Sequence, residues 1–193
     1  MNKYALIIEE FACWGCRTCE VACKQEFNPV DSPNGVKYLS VWGDGPKVMN
    51  GKLDFVWRVN VCKHCDEPPC AKVCPAEAIM KRGDGIVILD AEKCTGCQLC
   101  IDECPYDAIS FDDEKKIAAK CNLCHHRVDK GLYPACADNI CLAHCIYFGD
   151  PAEIERRIME KRKVRGGWGE IIPKGITMSR GGKNQKGHYE ERK

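Results

Sequence analysis

Apolar positions along this chain come in short runs, most of them strand-length. Val36 to Trp42 and Phe55 to Val61 are rich in β-prone side chains, including Trp42 and Trp57, and predict a hairpin. Asp31-Ser32-Pro33-Asn34-Gly35 ahead of it is a turn signal. Ile86-Val87-Ile88-Leu89 predicts a strand after the turn Gly83-Asp84-Gly85, and Ile109-Ser110-Phe111 predicts another. Ala76-Glu77-Ala78-Ile79, behind Pro75, predicts a short helical turn, with Tyr106-Asp107-Ala108-Ile109 as its counterpart behind Pro105. Pro151 to Lys163 reads as a short helix with Asp150 as N-cap and Pro151 in the first turn. The elements together predict an α+β fold.

The apolar stretch near the start, ending Leu6-Ile7-Ile8, is too short for a signal-peptide core, and Glu9 and Glu10 follow it. No apolar run approaches a membrane span. Charge is balanced, with 29 Lys+Arg against 28 Asp+Glu in 193 residues, which removes a global electrostatic case for nucleic acid or a membrane surface. The 17 cysteines change the picture most, because at that density cysteine chemistry must organise the fold. An odd thiol count with no export signal argues for bound metal over a disulfide framework.

The cysteines form four groups. The first is Cys13-x2-Cys16-x2-Cys19-x3-Cys23, and the second is Cys62-x2-Cys65-x4-Cys70-x3-Cys74-Pro75. The third, Cys94-x2-Cys97-x2-Cys100-x3-Cys104-Pro105, matches the bacterial ferredoxin run with its proline included. The fourth is Cys121-x2-Cys124-x11-Cys136-x4-Cys141, with Cys145 beyond it. Thiolates at i, i+3 and i+6 on a tight loop can reach three corners of a [4Fe–4S] cube. The fourth cysteine of the run starts a helix, points away and ligates the other cluster of a pair. Zinc sites instead gather two short pairs on one ion. Groups two and three therefore form one ferredoxin-like two-cluster unit, over 62–104 and reaching about 115. Groups one and four form an outer unit, over 1–61 and 105–150, into which the first is inserted. A hairpin insertion at about 28–61 either packs on the fold or serves as a partner-docking arm. Metal ligation contributes folding energy that a core with 8% aromatics does not.

Residues 151–193 differ in composition, with 12 Lys+Arg against 6 Asp+Glu. From Gly166 they are rich in Gly, Lys and Arg, with Trp168, Ile171, Ile172 and Ile176 as an apolar strip. Two readings stand: a solvated tail, or an extended, basic C-terminal tail that docks on a partner subunit.

Four such groups, one pair nested in the other, resemble the four-cluster ferredoxin-like electron-transfer subunits of molybdenum and tungsten pterin oxidoreductases. The motifs that carry the resemblance are Cys62-Lys63-His64-Cys65-Asp66-Glu67-Pro68-Pro69-Cys70, Cys94-Thr95-Gly96-Cys97, and Pro134-Ala135-Cys136 running to Phe148-Gly149-Asp150. It covers about residues 1–150. It implies four [4Fe–4S] clusters. Cys62, Cys65, Cys70 and Cys104 would hold one, and Cys94, Cys97, Cys100 and Cys74 a second. Cys13, Cys16, Cys19 and Cys141 would hold a third, and Cys121, Cys124, Cys136 and Cys23 the fourth. The fourth group departs from the family pattern, with Leu142 where proline is usual. Distance to Phe148-Gly149-Asp150 favours Cys141, but Cys145 has ferredoxin spacing from it and can substitute. Zinc or an empty site in this group is the alternative. The Cys141-Leu142-Ala143-His144-Cys145 variant looks more like the small subunits of tungsten aldehyde oxidoreductase and tungsten benzoyl-CoA reductase. Polysulfide-, sulfoxide- and formate-type enzymes are the rival.

Cubes with four thiolates have no open iron for substrate, so the resemblance implies single-electron relay, not catalysis by this chain. The expected partner is a large molybdenum- or tungsten-pterin catalytic subunit, with a further electron carrier or flavin subunit possible, and no nucleic acid or direct membrane span. The alternative is a free-standing polyferredoxin. The expected location is cytoplasmic, with periplasmic co-export on a partner as the other possibility. No phosphate loop, nucleotide fingerprint or hydrolytic triad is visible. His64, His125, His126, His144 and His188 read as surface residues or residues behind the ligands. Trp14 and Tyr106, beside ligands, read as water shields.

Overall fold

The computed structural model describes residues 4–27, 36, 38–49, 51–137, 139–164 and 176–178. Its centre is strand β1 (Ala5–Glu9), buried along its whole length. That short apolar run is the middle of a three-stranded antiparallel sheet. On one side it pairs with β8 (Ile146–Gly149), in the register Ala5↔Gly149 to Ile8↔Ile146. On the other it pairs with β9 (Ile176–Met178), in the register Ile7↔Met178 to Glu9↔Ile176.

Helix α5 (Pro151–Val164) follows β8 directly. Asp150 caps it, its Oδ1 accepting the amides of Ala152 at 2.9 Å and Glu153 at 3.1 Å. The helix then lays Ile154 and Ile158, four residues apart on one face, against Ala5, Ile7 and Tyr147. Ile154 is fully buried. The basic segment beyond residue 150 therefore contributes to the core through this helix and is not wholly a solvated or partner-docking tail. Two isoleucines at helical spacing suffice to bury one face, although the composition of the segment is basic. Ile176, read as part of a partner-facing strip, sits in β9. Trp168, Ile171 and Ile172 lie outside the described residues, as does the turn at 31–35.

Helix α1 (Thr18–Phe27) carries Cys19 and Cys23 and packs beside a hairpin formed by β2 (Leu39–Met49) and β3 (Lys52–Val61). Two buried carboxylates tie this hairpin to the cysteine-bearing segments. Glu20 accepts the amide of Val41. Glu10 accepts the Val59 amide at 3.0 Å and the Arg58 guanidinium at 2.9 Å. Charge-assisted bonds of this kind satisfy carboxylates that would otherwise be costly to bury. The strands extend beyond the predicted β-prone runs, through Gly43, Gly45 and Pro46. The register shifts between Asp44 and Lys47, which accommodates a proline that has no ladder donor.

The middle of the chain repeats one small unit. Helix α2 (Pro69–Lys72) leads through Cys74-Pro75 into the ribbon β4 (Ile79–Lys81) and β5 (Val87–Leu89). Helix α3 (Leu99–Asp102) leads through Cys104-Pro105 into β6 (Ile109–Asp112) and β7 (Ile117–Lys120). The predicted strands are present, but the helical turn expected behind Pro75 is not. The helix lies before the cysteine, because proline disfavours helical backbone in the residue ahead of it. The amide of Ala78 then goes to the Cys74 sulfur at 3.3 Å, where a helix would have used the Cys74 carbonyl. Helix α4 (His125–Val128) follows the first two cysteines of the fourth group. Among the described residues no helix is long and apolar enough to cross a membrane.

Candidate iron–sulfur sites

Each cysteine group opens with the same backbone device. The residue two after the first cysteine is left-handed in every group: Gly15 at φ +68°, His64 at +47°, Gly96 at +72° and Leu123 at +52°. That turn points an amide back at sulfur. Gly15 donates to Cys13 Sγ at 3.4 Å, His64 to Cys62 Sγ at 3.5 Å and Leu123 to Cys121 Sγ at 3.4 Å. At two of the four the packing also demands glycine. A Cβ on Gly15 would lie 2.2 Å from the Trp57 ring, and one on Gly96 would lie 2.3 Å from the Lys116 carbonyl oxygen.

A second device marks the cysteine that closes a group. Three residues after Cys74, Cys104 and Cys141 the backbone is again left-handed, at Glu77 (+49°), Asp107 (+48°) and His144 (+48°). The next amide then donates to the closing sulfur: Ala78 to Cys74 at 3.3 Å, Ala108 to Cys104 at 3.4 Å and Cys145 to Cys141 at 3.4 Å. Cys141 thus shares the local geometry of Cys74 and Cys104, the two closing cysteines followed by proline, although Leu142 follows it.

The fold brings thiols from different groups together. One cavity is lined by Cys62, Cys65, Cys70 and Cys104, with Val87 and Tyr106 on its walls. Another is lined by Cys121, Cys124, Cys136 and Cys23, with Tyr38 and Leu39. Cys100 has Cys94, Cys97 and Cys74 close enough to act on it electrostatically. Cys19 has Cys141, Cys13 and Cys16. Every quartet therefore takes one sulfur from a distant group. The quartets also adjoin in series: Cys70, Cys94, Cys100 and Cys104 share one apolar cluster, Cys62 neighbours Cys121, and Cys19 neighbours Cys136. Cys16 and Cys97, in the two outer quartets, are exposed.

Burial dominates the electrostatics. It pushes the Cys19 thiol up to about 12 and the Cys70, Cys100 and Cys124 thiols up to about 11, with neighbouring thiolates adding to the rise. Burial also raises Cys121 and Cys136. Cys141 is the exception, held down at about 5 chiefly by the Cys145 side chain and then by backbone amides. The two sulfurs are 3.5 Å apart, and that contact together with burial raises Cys145.

The donor set fits [4Fe–4S] groups. Four sets of four thiols carry preplaced amide donors, and low-dielectric surroundings make bare thiolates costly unless a cationic centre is bound. Among the described residues no three His, Cys, Asp or Glu side chains converge on a single ion position. His64 supplies an orphan as well. Its Nδ1 accepts the Val87 amide at 2.9 Å, so the proton sits on Nε2, which is buried without a partner among the described residues.

One reading of the flanking side chains changes, that of Trp14. Of the two places expected for His64, the surface or behind the ligands, it takes the buried one, and burial depresses its basicity well below that of ordinary imidazole. Trp14 is exposed, and the ring over the first loop is Trp57, far away in sequence yet close enough to exclude any side chain on Gly15. Sequence position near a cysteine gave no signal for it. Tyr106 does line its cavity. His126 bonds Glu26 at 2.6 Å and His125 lies 3.7 Å from Asp129. His188 lies outside the described residues.

Comparison with known proteins places the chain among iron–sulfur proteins. The 4Fe-4S dicluster domain family matches residues 53–151, and the 4Fe-4S binding domain family matches residues 10–28. The chain is 36% identical over 162 residues to a tetrathionate reductase subunit of Salmonella typhimurium, covering 81% of this chain and 62% of that protein. It is 38% identical over 159 residues to a polysulfide reductase chain of Wolinella succinogenes, covering 81% of each. It is 36% identical over 146 residues to an anaerobic dimethyl sulfoxide reductase chain of Haemophilus influenzae, covering 72% of this chain and 70% of that one.

Proposed function

The chain belongs to the 4Fe-4S dicluster family of iron–sulfur subunits, and on that premise we propose that it relays single electrons to or from a pterin-cofactor catalytic subunit. It is an electron-transfer subunit and not the catalytic one. The observation that carries the reading is the cross-group assembly of thiols, above all Cys104 beside Cys62, Cys65 and Cys70.

We assign the ligands as Cys62, Cys65, Cys70 with Cys104; Cys94, Cys97, Cys100 with Cys74; Cys13, Cys16, Cys19 with Cys141; and Cys121, Cys124, Cys136 with Cys23. Cys141 is preferred over Cys145 because it repeats the closing geometry of Cys74 and Cys104. The assignment implies two ferredoxin-like units, 62–104 (to about 115) within 1–61 and 105–150. The shared α2–α3 ribbon unit and the β1–β8 pairing support it. Four bound [4Fe–4S] groups supply reversible one-electron chemistry. The residues of the chain do the rest. They hold the quartets in series, exclude water from the inner two, and leave an exposed ligand, Cys16 or Cys97, at either end.

The names of the similar proteins are those of tetrathionate, polysulfide and dimethyl sulfoxide reductases, and they favour a partner that reduces a sulfur compound. A tungsten-enzyme partner is the second reading, resting on the Cys141–Cys145 variant. Buried free thiols need a reducing compartment while clusters are built, which supports cytoplasmic assembly. Co-purification tests the function: the native chain should bring down a larger pterin-containing subunit. Recovery as a lone iron–sulfur protein would favour the free-standing carrier.

A further inference from the structure

Among the described residues two lysines are buried, Lys63 and Lys120. Lys63 has the buried Glu10 carboxylate near it. Lys120, at the end of β7, is 3% exposed, and among the described residues no carboxylate lies within ion-pair reach of it. Its ammonium donates to two backbone carbonyls, Val87 and, at 2.7 Å, Cys121. A buried cation held by neutral groups alone is costly, so its counter-charge must come from something else beside it.

The position of Lys120 shows what that is. Val87, whose carbonyl it binds, lines the cavity of Cys62, Cys65, Cys70 and Cys104, and packs with Cys70 and Cys104. The amide of the same Val87 donates to His64, between Cys62 and Cys65. Cys121, whose carbonyl Lys120 also binds, belongs to the quartet with Cys124, Cys136 and Cys23. The ammonium thus lies at the join between the two inner quartets, and its charge favours the thiolates of both Cys70 and Cys121.

We propose that Lys120 is a buried counter-charge shared by the two inner clusters, raising the reduction potential of both. The proposal rests on the ligand assignment above. A four-thiolate cube is anionic and gains a further negative charge when it accepts an electron. A fixed neighbouring cation in a low-dielectric site stabilises the reduced form more than the oxidised one. Solvent and salt screen it little, because it is buried. Lys120 acts as a positioning charge and ligates nothing.

The test is a redox titration of the native complex, followed by electron paramagnetic resonance, with Lys120→Met and Lys120→Arg. The methionine variant removes the charge at similar volume, and the arginine variant keeps it. Two of the four midpoint potentials should fall in Lys120→Met, each by at least about tenfold in the reduction constant, which is about 59 mV for one electron. The other two should hold, and Lys120→Arg should keep all four near wild type. Loss of the two inner clusters from Lys120→Met with full loading of Lys120→Arg would also support the charge requirement. Unchanged potentials in Lys120→Met, a uniform shift of all four, or iron loss in both variants would overturn it. Wild-type iron content reads the ligand assignment separately, so failure of that assignment is distinguishable from failure of this inference.

Discussion

The amide of Cys145 donates to Cys141 Sγ at 3.4 Å, the bond that Ala78 makes to Cys74 and Ala108 makes to Cys104. A non-glycine residue in the left-handed region precedes each donor. Such backbone is costly for His144, Glu77 and Asp107 and persists only where the surroundings impose it. The recurrence is what supports the proposed assignment of Cys141, rather than Cys145, as the closing sulfur of its group.

Cys145→Ala is therefore expected to keep close to full iron, because the backbone amide survives the substitution. Cys141→Ala should lose the cluster built on Cys13, Cys16 and Cys19. Iron per chain in the two purified variants checks this. Equal loss in both, or loss only with Cys145→Ala, would reverse the assignment.

Cross-ligation sets the expectation for Cys104. Its sulfur stands with Cys62, Cys65 and Cys70, so Cys104→Ala should damage that cluster and spare the one built on Cys94, Cys97 and Cys100. Spectroscopy that separates the clusters reads it. Damage confined to the Cys94 cluster would contradict the pairing.

Much of this site was legible in the cysteine spacing, since i, i+3, i+6 triplets with an outlying fourth cysteine have few other uses. What stayed hidden depends on backbone torsion or on long-range packing. The left-handed turn at His144 has no sequence signal, so spacing favoured Cys141 but left Cys145 as a substitute. The helix behind Pro75 was misplaced because the Cys74 sulfur takes the amide that a helix would need. The basic composition beyond residue 150 concealed Ile154 and Ile158, whose partners, Ala5 and Ile7, lie at the other end of the chain. The burial of His64 follows from strand β5, not from its neighbours in sequence.

The packing of α5 changes what truncation should do. Removing residues 165–193 should leave iron content near wild type, whereas removing everything after Asp150 should not, because Ile154 and Ile158 leave the core with it. Ile154→Ala alone should cost roughly 2–5 kcal/mol in denaturant unfolding. Full iron and unchanged stability after truncation at Asp150 would show that the helix only rests on the sheet. If the chain without 165–193 binds its partner less well, with the deficit largest at low salt, the basic segment docks there, and undiminished affinity would remove that role.

Gly96→Ala combines a disfavoured torsion with a Cβ 2.3 Å from the Lys116 carbonyl. It should destabilise the Cys94 loop by about 1–3 kcal/mol or more and speed loss of that cluster in air. Gly51→Ala is the control, because its Cβ meets nothing within 4 Å although φ is +73°. Equal cluster lifetimes in the two variants would remove the packing argument.

Iron and acid-labile sulfide per chain, measured together with zinc in the natively purified complex, test the four-cluster relay most directly. Sixteen assigned thiols in four quartets predict about sixteen iron and about sixteen sulfide per chain, with no stoichiometric zinc. A reproducible value of about twelve iron with about one zinc would contradict it.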